Sequence, residues 1–265
     1  MQSYKDNNLN LSMADKEVIR LVKKNDYSSL KFLLNNITPK PDINKKNLKN
    51  DTLLMFAAVC KSSDVVKLLI EEKANVNELN NDKNSALHIA AYTNNVSSID
   101  ELLNAGAFIN KKNKVGMTPL QCALNEKCSD KVVDKLLEHK ADVNCKNING
   151  STAIFFSALD NRASIMNKLI KSKANIDMKN NSGDTPLIIA ARKGSSDCVK
   201  ILINSSVNIF QKNNKGETAL SVKSNNKIKK LLRKKTKKLP NKFFNLKKVL
   251  IKTSKNASGN YQLLN

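Results

Sequence analysis

The stretch Ser85-Ala86-Leu87-His88-Ile89-Ala90-Ala91 decides the fold, because the chain returns to it at a nearly constant interval. Successive phrases start 33, 33, 34, 33 and 33 residues apart. The related phrases begin at Thr52, Thr118, Thr152, Thr185 and Thr218. A period of about 20 to 50 residues is typical of a stacked array in which each unit contacts only its neighbours. We therefore predict one elongated repetitive domain without a single central core.

Each phrase has the pattern of a helix start. Its first Thr or Ser can cap the helix through the hydroxyl, and Pro119 and Pro186 fit the first turn, where a missing N–H has no consequence. A second apolar stripe follows after a short turn, with pairs such as Val65/Val66 and Leu69/Ile70 at helical spacing. The pattern predicts a helix–turn–helix unit in every repeat.

This phrase at this period resembles the ankyrin repeat, and the resemblance covers roughly residues 14–236. It implies an all-α solenoid of about six to seven helix–turn–helix repeats joined by β-turn fingers. We expect a disordered N-terminal lead over 1–13, an atypical cap over 14–36 and a basic tail over 237–265. Repeats are expected to start near residues 52, 85, 118, 152, 185 and 218.

The turns depart from the family pattern in two ways. An Asn stands five residues before each phrase where the family usually has Asp, and either side chain can hold a tight turn. These residues are Asn47, Asn80, Asn113, Asn147, Asn180 and Asn213. At the end of the second helix the family prefers Gly, as in Gly106, but this chain has Lys73, Lys140, Lys173 and Ser206. A left-handed residue there costs about 1–2 kcal/mol relative to Gly, so we expect modest stability.

The charge is unevenly distributed. Residues 218–265 contain 14 Lys and Arg and no Asp or Glu, which leaves residues 1–217 with +9 of the total net charge of +23.

The five cysteines have unrelated spacings, and this argues against a disulfide framework and favours a reducing compartment. The absence of a long apolar run or an apolar leader favours a cytoplasmic or nuclear protein, and we expect a monomer.

Catalytic motifs are missing from the sequence, so we expect no enzyme, no cofactor and no metal site. There is no glycine-rich phosphate loop, and the cysteines Cys122, Cys128 and Cys145 are interpreted as small buried fillers. His88 occupies the family's His position, where the resemblance implies a hydrogen-bonding structural role. His139 is expected to be solvated.

The resemblance also implies a partner-binding surface, made by fingertips and by first-helix residues after the Ala-Ala pair. The candidate fingertip residues are Leu48, Asp82, Lys114, Val115, Met117 and Ile148. The candidate first-helix residues are Val59, Tyr92, Glu126, Leu159, Asp160, Arg192 and Lys193. Apolar members of this set would form an interface centre with a charged rim. We therefore expect a non-enzymatic protein that binds a protein partner on its concave face.

The basic tail supports an alternative, in which an adaptor or secreted effector uses the tail to deliver a target held by the stack. Its cations are Lys229, Lys230, Arg233, Lys234, Lys235, Lys237 and Lys238. They suit an acidic partner, nucleic acid, a nuclear-import signal or an anionic membrane, or they form the solvated face of a capping helix. Leu239-Pro240 and the apolar residues after it resemble the start of an F-box-type segment, without the acidic residue usual there.

Overall fold

The computed structural model describes residues 12–237, and within them the chain forms 13 helices and no strand. The all-α prediction is confirmed. The helices are α1 (Met13–Lys24), α2 (Tyr27–Asn36), α3 (Leu53–Val59), α4 (Ser63–Glu71), α5 (Ala86–Tyr92), α6 (Val96–Asn104), α7 (Pro119–Asn125), α8 (Asp130–Glu138), α9 (Ala153–Leu159), α10 (Ala163–Lys171), α11 (Pro186–Lys193), α12 (Ser196–Asn204) and α13 (Asn226–Lys237).

The helices form two layers that follow the repeats. The odd-numbered helices α1 to α11 pack one against the next and make the inner layer, while α2, α4, α6, α8, α10, α12 and α13 make the outer layer. Buried Leu, Ile, Val and Ala side chains fill the space between layers and between consecutive repeats. The core is therefore continuous along the stack, as expected when each repeat buries its apolar face on its neighbours.

Most inner helices begin at the hydroxyl that the phrase supplies. Thr52 Oγ1 accepts from Met55 N at 3.3 Å, and Thr185 Oγ1 accepts from Ile188 N at 3.3 Å. Ser85 and Thr118 form full capping boxes with the residues three positions later. Thr152 is the exception, because its buried Oγ1 makes no hydrogen bond.

The outer helices α4, α6, α8, α10 and α12 end in left-handed residues, as the sequence comparison with Gly106 suggested. Lys73, Lys140, Lys173 and Ser206 have φ values of 68°, 62°, 65° and 61°. In α4 the N–H groups of Lys73 and Ala74 bond to the carbonyls of Ile70 and Leu69, at 3.0 and 2.8 Å. This pair of bonds is the Schellman motif, in which a β-carbon is strained and Gly is not.

A second set of left-handed residues lies in the turn between the two helices of each repeat, and sequence reasoning did not find it. Its members are Lys61, Asn94, Lys127, Asn161 and Gly194, with φ between 54° and 84°. They recur at the same period as the phrase. Lys61 and Lys127 are neither Gly nor Asn, so their turns add to the backbone strain present at the ends of the outer helices.

The last unit differs from the predicted helical hairpin. The phrase at Thr218 forms a single turn, in which the N–H groups of Ser221 and Val222 both bond to Thr218 O at 3.1 Å, and no helix lies between Thr218 and α13. Asn226 lies only 8 positions after Thr218, whereas Ser196 lies 11 positions after Thr185. A seven-residue helix and its turn do not fit in that interval. The array therefore closes with a half-repeat whose helix packs on α12 through Ile228 and Leu232.

Candidate functional site

Each finger is organised by its Asn side chain. Asn80 Oδ1 accepts from the N–H groups of Asp82 and Asn84 at 3.0 and 2.9 Å, and Asn80 Nδ2 donates to Asp51 Oδ1 at 2.8 Å. The two acceptor bonds recur at all six Asn positions. Asn therefore holds the turn that Asp holds elsewhere in the family, and in addition its amide can donate to the preceding repeat.

Neighbouring fingers are also joined through the backbone. The N–H of Lys114 donates to Asp82 O at 2.8 Å, and the N–H of Ile148 donates to Val115 O at 3.3 Å. The approach is so close that a β-carbon at Gly150 would lie 2.4 Å from the Asn181 Oδ1 atom and 2.9 Å from its main-chain nitrogen. Gly is thus required there for space as well as for its φ of 72°. The fingers form a hydrogen-bonded row that presents their tips together.

His88 has the structural role that the family position implied. Its Nδ1 accepts from Ser85 N at 3.2 Å, and its Nε2 donates to the Met117 carbonyl of the next repeat at 3.2 Å. Burial lowers the pKa of His88 to about 4, so the ring is neutral near pH 7. Gln121 stands at the equivalent position and makes the corresponding bonds to Thr118 N and to the Cys145 and Ser151 carbonyls.

The fingers and the outward faces of the inner helices together form one surface, here called the finger–helix surface. The apolar candidates on it are exposed: Leu48, Val59, Tyr92, Val115, Ile148 and Leu159. Tyr92 is 53% exposed at the end of α5 and Leu159 is 39% exposed at the end of α9. Phe56 and Ile89, three residues before Val59 and Tyr92, are partly buried, and partly buried Ile189 lies at the equivalent position of α11. The sequence analysis did not assign Phe56 and Ile89, although their i, i+3 spacing to Val59 and Tyr92 was a usable signal.

The charged candidates on this surface differ in whether they already form ion pairs. Asp82, Lys114, Glu126 and Lys193 are exposed, and Asp160 pairs with Lys127 at 3.1 Å. Arg192 is already engaged, because its guanidinium binds buried Asp184 at 2.6 Å and Glu217 at 3.1 Å. Although burial alone would raise the pKa of Asp184, hydrogen bonds from Arg192 and Asn213 hold it below the ordinary value. Arg192 thus ties two repeats together in the free protein.

Met117 is not the exposed fingertip residue that the sequence suggested. Its side chain is half-buried and packs against the core, and its carbonyl receives the His88 bond. The reason lies in its position directly before Thr118, where the chain turns inward to start α7. Val115 and Ile148, which stand nearer the tips of their fingers, carry the exposed apolar surface instead.

The cysteines and His139 show no catalytic arrangement. Burial raises the pKa of the Cys122 and Cys198 thiols to about 12, which disfavours the nucleophilic thiolate. Cys145 is half-buried, contrary to the buried filler predicted, and its thiol donates to Asp142 Oδ2 at 3.2 Å. His139 is paired rather than simply solvated, with Nε2 at 3.3 Å from Asp100 Oδ1. Over residues 12–237 no group of three potential metal ligands comes together.

The described part of the basic tail lies on α13. Leu232 and Ile228 face inward, and the cations Lys230, Arg233 and Lys234 are exposed while Lys229 and Lys235 are half-buried. This matches the solvated face of a capping helix, one of the alternatives open from the sequence. The side chain of Lys237, all of Lys238, the F-box-like segment and the N-terminal lead before Ser12 lie outside the described residues. In the described part no helix is both long and apolar enough to cross a bilayer.

Known proteins resemble this chain over its repeats. It is 38% identical over 109 residues to an ankyrin repeat protein of Fowlpox virus (strain NVSL), a match covering 40% of this chain and 32% of the viral protein. It is 34% identical over 104 residues to the RelA-associated inhibitor of Mus musculus, covering 38% of this chain and 12% of that protein. The chain thus spans a third or less of the length of these two relatives.

Solved structures show the same fold. The ankyrin repeat domain of Bcl-3, a member of the IkappaB protein family, superposes with a TM-score of 0.73 at 24% identity, covering 82% of this chain and 97% of that one. The human ASB11 ankyrin repeat domain gives 0.72 at 19% identity, covering 82% and 96%. The family model for ankyrin repeats matches residues 18–113, 101–180 and 154–242. With most of its length matched and its hairpins stacked as described, the chain belongs to the ankyrin repeat family.

Proposed function

We propose that this protein is a non-enzymatic interaction module that holds a protein partner on its finger–helix surface. Ankyrin repeats serve generally as protein-binding modules. The observation that carries the proposal is the central apolar patch, formed by Tyr92, Val115, Ile148 and Leu159. Large apolar side chains exposed among polar residues are typical of a protein interface.

The four residues belong to adjacent repeats in the middle of the stack. Val115 and Ile148 sit on adjacent hydrogen-bonded fingers, and Tyr92 and Leu159 end helices α5 and α9, which flank α7. Tyr is among the residues that most often supply binding energy at interfaces, because a large amphipathic ring loses little entropy on burial. Among the candidate residues of this surface, Asp82, Lys114 and Glu126 supply charges of both signs that would set the partner's orientation.

The test is affinity capture from cell extract with the full chain and two variants. Tyr92→Lys with Leu159→Lys disrupts the patch, and Met13→Lys with Phe32→Lys adds the same charge at exposed apolar positions of the N-terminal cap. We expect the proteins held by the unmodified chain to be retained by the cap variant and lost by the patch variant. Equal retention by both variants, with unchanged circular dichroism, would place the partner elsewhere. Met117 is left unaltered because a charge there would disturb the core.

A second candidate function is that of an adaptor, favoured by the exposed cations of α13 on the last unit of the stack. In that role the finger–helix surface selects a target and residues 238–265 deliver it to degradation machinery, a nucleus or a membrane. Deleting 238–265 leaves α13 intact. Under the adaptor hypothesis the deletion preserves partner capture but changes the partner's turnover or location. If both stay unchanged, residues 238–265 do not deliver the target.

A further inference from the structure

A row of lysines runs along the base of the fingers, outside the finger–helix surface. In the segment joining each outer helix to the next finger, the residue directly before the finger Asn is Lys in five of six repeats, with Leu79 as the exception. Four consecutive repeats carry Lys112, Lys146, Lys179 and Lys212, all exposed. We call these four the lysine edge. The Lys179 ammonium reaches along it to the Lys212 carbonyl, at 2.7 Å.

The lysine edge lacks the neutralisation found elsewhere on the stack. On the outer helices Lys135 lies 3.0 Å from Asp100, and Lys168 lies 2.7 Å from Asp134. Among the described residues, no member of the lysine edge forms an ion pair with a carboxylate. A line of uncompensated like charges concentrates positive potential and attracts a polyanion.

Exposed aromatic rings stand at both ends of this edge. Phe108, in the segment that leads to Lys112, is 60% exposed, and Phe210, two residues before Lys212, is 43% exposed. Other repeats have Asn or Asp at these two positions, for example Asn75 for Phe108 and Asp177 for Phe210. Neither ring belongs to the continuous core. Each exposed ring offers a flat apolar face on which a base can stack, and the lysines of the same repeat offer a cation for a phosphate.

We propose that the lysine edge, with Phe108 and Phe210, binds single-stranded nucleic acid. Helices pack about 8–10 Å apart, so four lysines on consecutive repeats span roughly 25–30 Å and follow an extended phosphate backbone. Lysine contacts with phosphates supply affinity, and bases stack on the two rings without selecting a sequence. An acidic polypeptide would satisfy the lysines but would bring no planar bases to the rings.

The experiment measures fluorescence anisotropy of labelled oligothymidylate and oligouridylate of about 20 nucleotides, titrated with the full chain. The logarithm of the affinity falls with the logarithm of salt by about 0.7 per phosphate contact on a single strand. Four contacts therefore predict a slope of about −2.8, or a roughly fifty-fold loss between about 50 and 200 mM salt. The two oligonucleotides separate a preference for DNA from one for RNA.

Matched variants separate the edge from the overall charge. Lys112→Gln with Lys146→Gln and Lys179→Gln should make the slope shallower by about 2 relative to a variant with Gln at three exposed outer-helix lysines, Lys67, Lys131 and Lys171. Phe108→Ser with Phe210→Ser should weaken binding about ten-fold or more, and Phe32→Ser, at the distant N-terminal cap, should not.

Three outcomes would overturn the proposal. The edge variant and the outer-helix variant could show the same salt slope, which would assign binding to the tail or to net charge. The two Phe substitutions could leave affinity unchanged, which would reduce the edge to a general polyanion contact. Finally, polyglutamate or vesicles containing anionic lipid could bind the edge as tightly as the oligonucleotides, and compete with them fully, which would identify an acidic protein or a membrane as the partner.

Discussion

His88 makes the stability of this stack depend on pH in a way that one substitution can isolate. The side chain is 1% exposed, and its unprotonated Nδ1 accepts from Ser85 N. Protonation would place a second hydrogen against that N–H and would bury a charge. Burial consequently lowers the pKa of His88 from its ordinary 6.5 to about 4.

The direction of the pH dependence of stability follows from the lowered pKa. Because the pKa is lower in the folded state, the unfolded chain binds more protons between pH 6.5 and pH 4. The contribution of neutral His88 to the free energy of unfolding is complete above pH 6.5 and is lost as the pH falls towards 4. One pKa unit corresponds to about 1.4 kcal/mol. Acidification from pH 6.5 to 4 therefore lowers the free energy of unfolding by roughly 3 kcal/mol, of which about 2 kcal/mol is lost by pH 5.

His88→Gln provides the test, because Gln121 already makes the equivalent inter-repeat bonds at this position of the next repeat. Urea unfolding of both proteins at pH 7.5 and pH 5 gives four free energies. The carboxylates, including Asp184, titrate in both proteins and cancel in the comparison. We expect the unmodified chain to lose about 2 kcal/mol more than His88→Gln on acidification. Equal losses, or a larger loss in the Gln variant, would refute the buried neutral imidazole.

Three further predictions concern stability and can be measured by thermal and urea unfolding. Lys140→Gly removes the strain of a left-handed residue with a β-carbon, about 1–2 kcal/mol, but gives the unfolded chain more conformational entropy, which offsets about 0.4–1 kcal/mol. The net effect should raise the Tm by a few degrees. Gly106→Lys should lower it similarly, because a β-carbon there meets nothing within 4 Å and only the backbone conformation changes; the opposite signs would contradict the assigned helix ends. Thr152→Val should be nearly neutral or stabilising, whereas Thr185→Val should cost about 1 kcal/mol, since only Thr185 caps its helix. Asn80→Ala should cost about 2–3 kcal/mol by removing two acceptor bonds and the donor bond to the preceding repeat, and an effect below about 0.5 kcal/mol would show that the backbone holds the finger alone.

The repetitive half of the fold could be predicted because the period and the local chemistry agree at every repeat. The Thr or Ser of each phrase, the small pair after it and the apolar stripe of the second helix are all visible along the sequence. The left-handed ends at Lys73 and Lys140 were predictable too, since Gly106 marks the same position in another repeat. Comparison among repeats thus supplied information that a single hairpin could not.

Features that depend on contacts between repeats were less accessible. Predicting the half-repeat at Thr218 required knowing that the last helix starts only 8 positions after Thr218, which is too close for another helix and its turn. The half-buried position of Met117 and the pairing of Arg192 with Asp184 and Glu217 depend on how adjacent units stack. For the candidate surface, sequence reasoning found the exposed apolar residues but not the partly buried Ile89 beneath them. Ile89 is apolar like the core residues beside it, so the sequence alone does not show that it is only partly covered.

The end of the array also explains why Phe210 is available to a ligand. At the equivalent position of earlier repeats, a polar side chain accepts a backbone hydrogen bond from the following repeat, as Asn77 does from Phe108 N at 2.9 Å and Asp177 from Asn208 N at 3.0 Å. Phe210 cannot accept such a bond, so the ladder stops where the half-repeat begins. A side chain released from holding two repeats together is free for another role, and here it is an exposed ring beside Lys212. The residue that ends the ladder is therefore the one that completes the proposed nucleic-acid edge.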